Sequence, residues 1–88
     1  MIEVKDAVKA AHQFVSDLFS EPLPDLRLEE VARSEDDKFW LITLGFNQQV
    51  QASSALQAAL SPRTERIYKS IKVDAETGRP VAMQIRKL

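Results

Sequence analysis

The sequence predicts an α+β domain: an N-terminal helix packed on a four-stranded antiparallel sheet, as a meander. Three observations carry this. Residues 2–19 repeat apolar side chains at helical spacing. Four later runs, at about 26–33, 39–46, 65–74 and 80–87, are patterned or concentrated as strands are. Most of the connections are short, which favours antiparallel neighbours. A chain of 88 residues has room for a single domain, 1–88, and one core.

In the helix, Val4, Val8, Ala11, Val15 and Leu18 form an apolar stripe, widened by Ala7 and Phe14. Glu3, Lys5, Lys9, Gln13, Ser16 and Asp17 cover the rest. The prolines of Ser20-Glu21-Pro22-Leu23-Pro24 end it. In the first strand Leu26 and Leu28 share a parity that Val31 breaks. Either a bulge near Glu29-Glu30 restores the phase or the strand frays after Leu28. Ser34-Glu35-Asp36-Asp37-Lys38 reads as a solvated hairpin loop. Its acids lack the spread and the glycine of a calcium loop.

The second strand is apolar on both parities and is therefore central. Trp40, Ile42, Leu44 and Phe46 are expected to face the helix, leaving Phe39, Leu41 and Thr43 on the other side. Residues 47–63 read as an irregular link, or as one holding a short helix from about Ser53 to Leu60.

The third strand places Ile67, Ile71 and Val73 on one face, with Lys69 sharing that parity. The fourth alternates Val81, Met83 and Ile85 with Ala82, Gln84, Arg86 and Leu88. Between them, Asp74 can accept hydrogen bonds from N–H groups two or three residues on. Gly78 can take the positive φ that closes a turn with a bulge. Pro80 fits only the start or outer side of a strand.

This closing stretch, Tyr68-Lys69-Ser70-Ile71-Lys72-Val73-Asp74-Ala75-Glu76-Thr77-Gly78 and the short strand after it, resembles the terminal hairpin of PepSY-type domains. More widely it is similar to cystatin-like domains. The resemblance covers about a quarter of the chain and implies a helix packed on an antiparallel sheet. It also implies a modulator of peptidases, generally outside the cytoplasm.

Composition narrows the chemistry. The chain has no cysteine, one histidine and two glycines. Disulfides, thiol chemistry and Cys-ligated zinc are excluded. Gly45 and Gly78 stand too far apart for a phosphate-binding glycine loop. His12 has no second histidine or cysteine beside it and reads as a solvated helix residue. Glu29 and Glu30, as strand neighbours, should point to opposite faces rather than converge. These features predict a protein that is not an enzyme and takes no cofactor or metal. The N-terminal stretch is neither a signal peptide nor a membrane span, so the expectation is a cytoplasmic protein without membrane contact.

Residues 1–60 hold five bases against ten acids, and residues 61–88 hold seven against three. This asymmetry can steer a partner, or the two ends can attract each other within the fold. By parity the sheet face away from the helix should carry Phe39 and Leu41, then Arg66, Tyr68 and Lys72, then Gln84 and Arg86. Arginine and tyrosine are enriched at protein interfaces. The face therefore reads as a candidate surface for a protein partner or a homodimer, or as an ordinary outer face shielded by long basic side chains. Single-stranded nucleic acid is the weaker alternative, because no RNP-like aromatic pair is present and net charge is −1.

Overall fold

A computed structural model describes residues 1–49 and 64–87. The order is α1 (Val4–Leu18), β1 (Arg27–Arg33), β2 (Phe39–Gln49), β3 (Thr64–Asp74) and β4 (Pro80–Arg86). The strands form one antiparallel sheet in the order β1-β2-β3-β4, with α1 against one face. This is the α+β architecture expected. β2 and β3 are central, as the two-sided apolar pattern of β2 requires.

The helix starts later than its apolar pattern does. Ile2 leaves it to donate its N–H to the Ala75 carbonyl at 2.7 Å, tying the N-terminus to the β3–β4 turn. The buried ridge is Ala7, Ala11 and Val15, spaced four apart and facing Ile42, Leu44, Ile71 and Val73. Val4 and Leu18, expected in the stripe, are 41% and 54% exposed. Two alanines on the buried ridge let the helix lie close to the sheet, so the contact line shifts toward them.

β2 runs three residues further than the apolar run. Asn47, Gln48 and Gln49 pair with Arg66, Glu65 and Thr64. Backbone pairing along a long hairpin here outweighs the loss of apolar pattern. At the same end the Asn47 N–H donates to the Pro24 carbonyl at 2.8 Å, and the Phe46 ring meets Phe19 edge-on with centroids 5.6 Å apart. The helix proposed for Ser53–Leu60 lies outside the described residues.

β1 stays paired through a bulge. Leu28 pairs with Leu44 and Glu30 with Thr43, so Glu29 is the extra residue and Val31 returns to the helix side opposite Ile42. β4 has a second shift, which its alternation does not reveal. Lys72 pairs with Ala82 but Val73 pairs with Pro80. Val81 is the extra residue and does not continue the row of Met83 and Ile85.

The two hairpin turns among the described residues are closed by their own polar groups. Asp74 Oδ1 accepts from the Glu76 and Thr77 N–H groups at 2.8 and 3.0 Å, and Gly78 takes φ +75°. Those bonds, the one from Thr77 first, hold the Asp74 carboxyl below its ordinary 3.8. In the first turn Asp36 accepts from the Ser34 hydroxyl at 2.6 Å and the Lys38 N–H at 3.1 Å, which lowers its pKa likewise.

Candidate functional site

The register gathers the seven expected residues onto one face. Phe39 and Leu41 of β2 lie opposite Asp74 and Lys72 of β3. Gly45 lies opposite Tyr68, Asn47 opposite Arg66, and Gln84 and Arg86 of β4 opposite Ser70 and Tyr68. Cross-strand partners share a face, so this is the side away from α1.

Arg66 anchors one end of the face, and its side chain is only 17% exposed. The guanidinium donates to Glu29 Oε1 at 2.6 Å, to the Asp25 carbonyl at 2.7 Å and to the Gly45 carbonyl at 3.1 Å. It also reaches Asp25 Oδ2 at 3.2 Å and Asn47 Oδ1 at 3.3 Å. The planar fork suits this convergence of acceptors from three segments. Its hydrogen bond to Glu29 is the main reason the Arg66 pKa is raised. Asp25 itself sits at φ +54°, a left-handed conformation that aspartate tolerates better than most residues.

Gly45 makes this arrangement fit. A Cβ there would lie 2.8 Å from Glu29 Oε1 and 3.1 Å from Tyr68 Cδ1. The absence of a side chain lets Glu29 and Tyr68 lie against the β2 backbone.

Glu30 completes a second link. It meets Arg86 at 2.9 Å, although β1 and β4 are the outermost strands. Strands spaced about 4.8 Å put these two roughly 14 Å apart across a flat sheet, so both side chains reach over the inner strands. Thr43, expected on the surface of this face, pairs with Glu30 and is 2% exposed. Glu29 and Glu30 therefore serve the same face, contrary to the alternation expected of adjacent strand residues. The bulge at Glu29 is the cause, and each carboxylate meets its own arginine.

The other end of the face is less committed. Lys72 Nζ lies 4.5 Å from the centroid of the Phe39 ring, a cation–π contact. Phe39 and Leu41 are half-buried, and Gln84 is exposed. Lys72 makes no ion pair among the described residues.

The most exposed apolar side chains of the sheet are elsewhere. Leu28 at 47% and Val31 at 36% flank α1 on the β1 side. On β4, Ile85 shares the helix side with Met83 and is 74% exposed, and Val81 at the bulge is 54% exposed. Among the described residues a single helix lies over the inner strands, and it leaves these borders uncovered. His12 is exposed on the outer side of α1. No group of three or more His, Cys, Asp or Glu is placed to hold a metal among the described residues. No helix among them is long and apolar enough to cross a membrane.

In comparisons with known proteins, no family model, curated relative or solved structure matches this chain.

The acids that engage the arginines, Asp25, Glu29 and Glu30, did not enter the expected site. The charge asymmetry pointed to attraction between the two halves of the chain. The bulge that aims Glu29 was one of two readings of the β1 pattern, and its consequence for side-chain direction was not legible.

Proposed function

We propose that this chain is a non-enzymatic interaction domain that binds a protein partner, or a second copy of itself, through its sheet. The observation that carries this reading is the division of the face. Arg66 and Arg86 are held by acids of the same chain, whereas Phe39, Leu41, Lys72 and Gln84 have no such partner among the described residues. An aromatic ring, an aliphatic side chain and an unpaired cation side by side are a usual make-up for a contact surface. A chain without cysteine needs no oxidising compartment to fold, which accords with action in the cytoplasm.

Affinity capture of the tagged domain from its native lysate, with and without nuclease, tests the reading. A Phe39→Ser, Lys72→Glu variant is the control. The expected outcome is a bound protein that survives nuclease and is lost with the variant. Recovery that depends on nucleic acid would replace this reading with single-strand binding. Identical recovery by the variant would remove the face from consideration.

A second reading rests on the resemblance of the Tyr68–Gly78 stretch to the terminal hairpin of PepSY-type domains. It expects the isolated domain to slow a co-encoded peptidase.

A further inference from the structure

The two outer strands differ in what they offer a partner. β1 carries its bulge at Glu29, near its start, and the acidic turn Glu35-Asp36-Asp37 follows it. Bulges and charges are common devices against edge pairing. β4 has its irregularity at Pro80 and Val81 and then runs regularly. From Ala82 to Arg86 each residue has a cross-strand partner in β3, from Lys72 to Tyr68. Along an outer strand, alternate backbone groups face outward. None of these residues is proline, so the outward N–H groups of this stretch are intact.

The side chains around this stretch share a character. Ile85 is 74% exposed, and its partner in β3 is Lys69. Beside it lies a hollow of about 390 Å³ bounded by Arg66, Ile67, Tyr68, Ile85, Arg86 and Lys87. Neither Lys69 nor Lys87 makes an ion pair among the described residues. Arg86 does, but its link to Glu30 is exposed on both sides, at 44% and 46%, and can exchange. Glu65 is the one acid of β3 near this end, and residues 64–87 hold six bases against three acids. The β4 edge is thus a regular strand with an apolar anchor point and an excess of positive charge.

We infer that the Ala82–Arg86 edge of β4 docks an acidic, apolar-alternating strand of a protein partner, extending the sheet beyond β4. This goes beyond the interaction-domain reading, since it concerns the outer edge of β4 rather than the surface around Phe39 and Lys72. Main-chain hydrogen bonds supply the attachment in strand addition, and alternate side chains supply the selection. An apolar residue of the incoming strand covers Ile85 and enters the hollow toward Ile67. Its acids, on the opposite face of the incoming strand, oppose Arg86. Charge complementarity favours an acidic foreign strand over the β4 edge of a second copy, which would set like charges together.

The probe is a ten-residue peptide alternating valine and glutamate, with its valine–lysine counterpart as control. Binding is read by fluorescence polarisation and by amide shifts in the full chain. The acidic peptide is expected to bind with shifts centred on residues 82–87 and 67–69, and the lysine peptide at least tenfold more weakly. Ile85→Glu and Arg86→Glu should each weaken binding at least tenfold. Both sites are exposed, and unchanged circular dichroism would show the fold intact. Added salt should weaken binding further.

Equal binding of the two peptides overturns the inference, as do shifts centred on β1 or on Phe39 and Leu41. A dimer that Ile85→Glu dissociates would make the occupant a second copy and overturn it too. If the peptide fails to bind while native capture persists, the edge inference falls and the interaction reading stands. If capture also yields nothing, both fall.

Discussion

The two faces of this sheet bury their centres by opposite means. Beneath α1, Ile42, Leu44, Ile71 and Val73 meet Ala7, Ala11 and Val15, and all are 0–1% exposed. On the other face no helix is present among the described residues, yet Thr43 is 2% exposed. That side carries long charged side chains that pair with each other, Glu29 with Arg66 at 2.6 Å and Glu30 with Arg86 at 2.9 Å. The first arrangement gains from removing apolar surface from water. The second depends on hydrogen-bond geometry and stays near solvent. A face can therefore look open from its sequence and be partly closed by its own ion pairs.

The helix-covered side should be the easier to break. Ile71→Ala removes a fully buried side chain from the centre of the core. A loss of about 2–5 kcal/mol is expected in the urea unfolding free energy.

On the opposite side the sensitive position is Gly45. Gly45→Ala places a Cβ 2.8 Å from Glu29 Oε1, which is already hydrogen-bonded to Arg66. A cost of about 1–3 kcal/mol is expected. It should shrink when Glu29 is also replaced by alanine, and that non-additivity is the diagnostic result.

Gly78→Ala tests the terminal turn. Its φ of +75° costs an alanine roughly 1–2 kcal/mol. The expected readout is a lowered thermal midpoint without change at the Arg66 cluster.

Acid should loosen both turns. The folded pKa values of Asp74 and Asp36 lie below their unfolded ones, so the unfolded chain binds more protons as pH falls. Their stabilisation is present above about pH 4 and is lost as pH drops through the folded values. Urea midpoints between pH 6 and pH 2.5 should fall, and Asp74→Asn should flatten part of that slope.

The smallest effect belongs to the long link across the face. A double-mutant cycle on Glu30 and Arg86 should return about 0–1 kcal/mol, since both groups are nearly half exposed. The corresponding cycle on Glu29 and Arg66 should return more, because that pair is better enclosed and shares further acceptors. Equal couplings would mean that enclosure of the Arg66 cluster adds nothing over the exposed Glu30–Arg86 link.

Local pattern was enough to read the helix, the four strands, their antiparallel order and the central place of β2. It also offered a bulge near Glu29-Glu30, against a strand fraying after Leu28, and the roles of Asp74 and Gly78 in their turn. These properties depend on side-chain periodicity and on backbone conformations that only some residues favour, and both are written in short stretches. The sequence likewise placed Phe39, Leu41, Arg66, Tyr68, Lys72, Gln84 and Arg86 on one face, because strand parity decides that.

What they touch there was a tertiary matter. Asp25 and Arg66 are 41 positions apart, and Glu30 and Arg86 are 56 apart. No local pattern encodes which acid a given arginine meets across other strands. The second bulge, at Val81, was hidden for a similar reason. A register shift is a property of two strands, and the alternation within β4 alone looks unbroken. Among the described residues, the uncovered borders at Leu28 and Ile85 depend on where α1 comes to rest on a sheet wider than itself. Periodicity assigns a residue to a face, and only the assembled layers decide whether that face is covered.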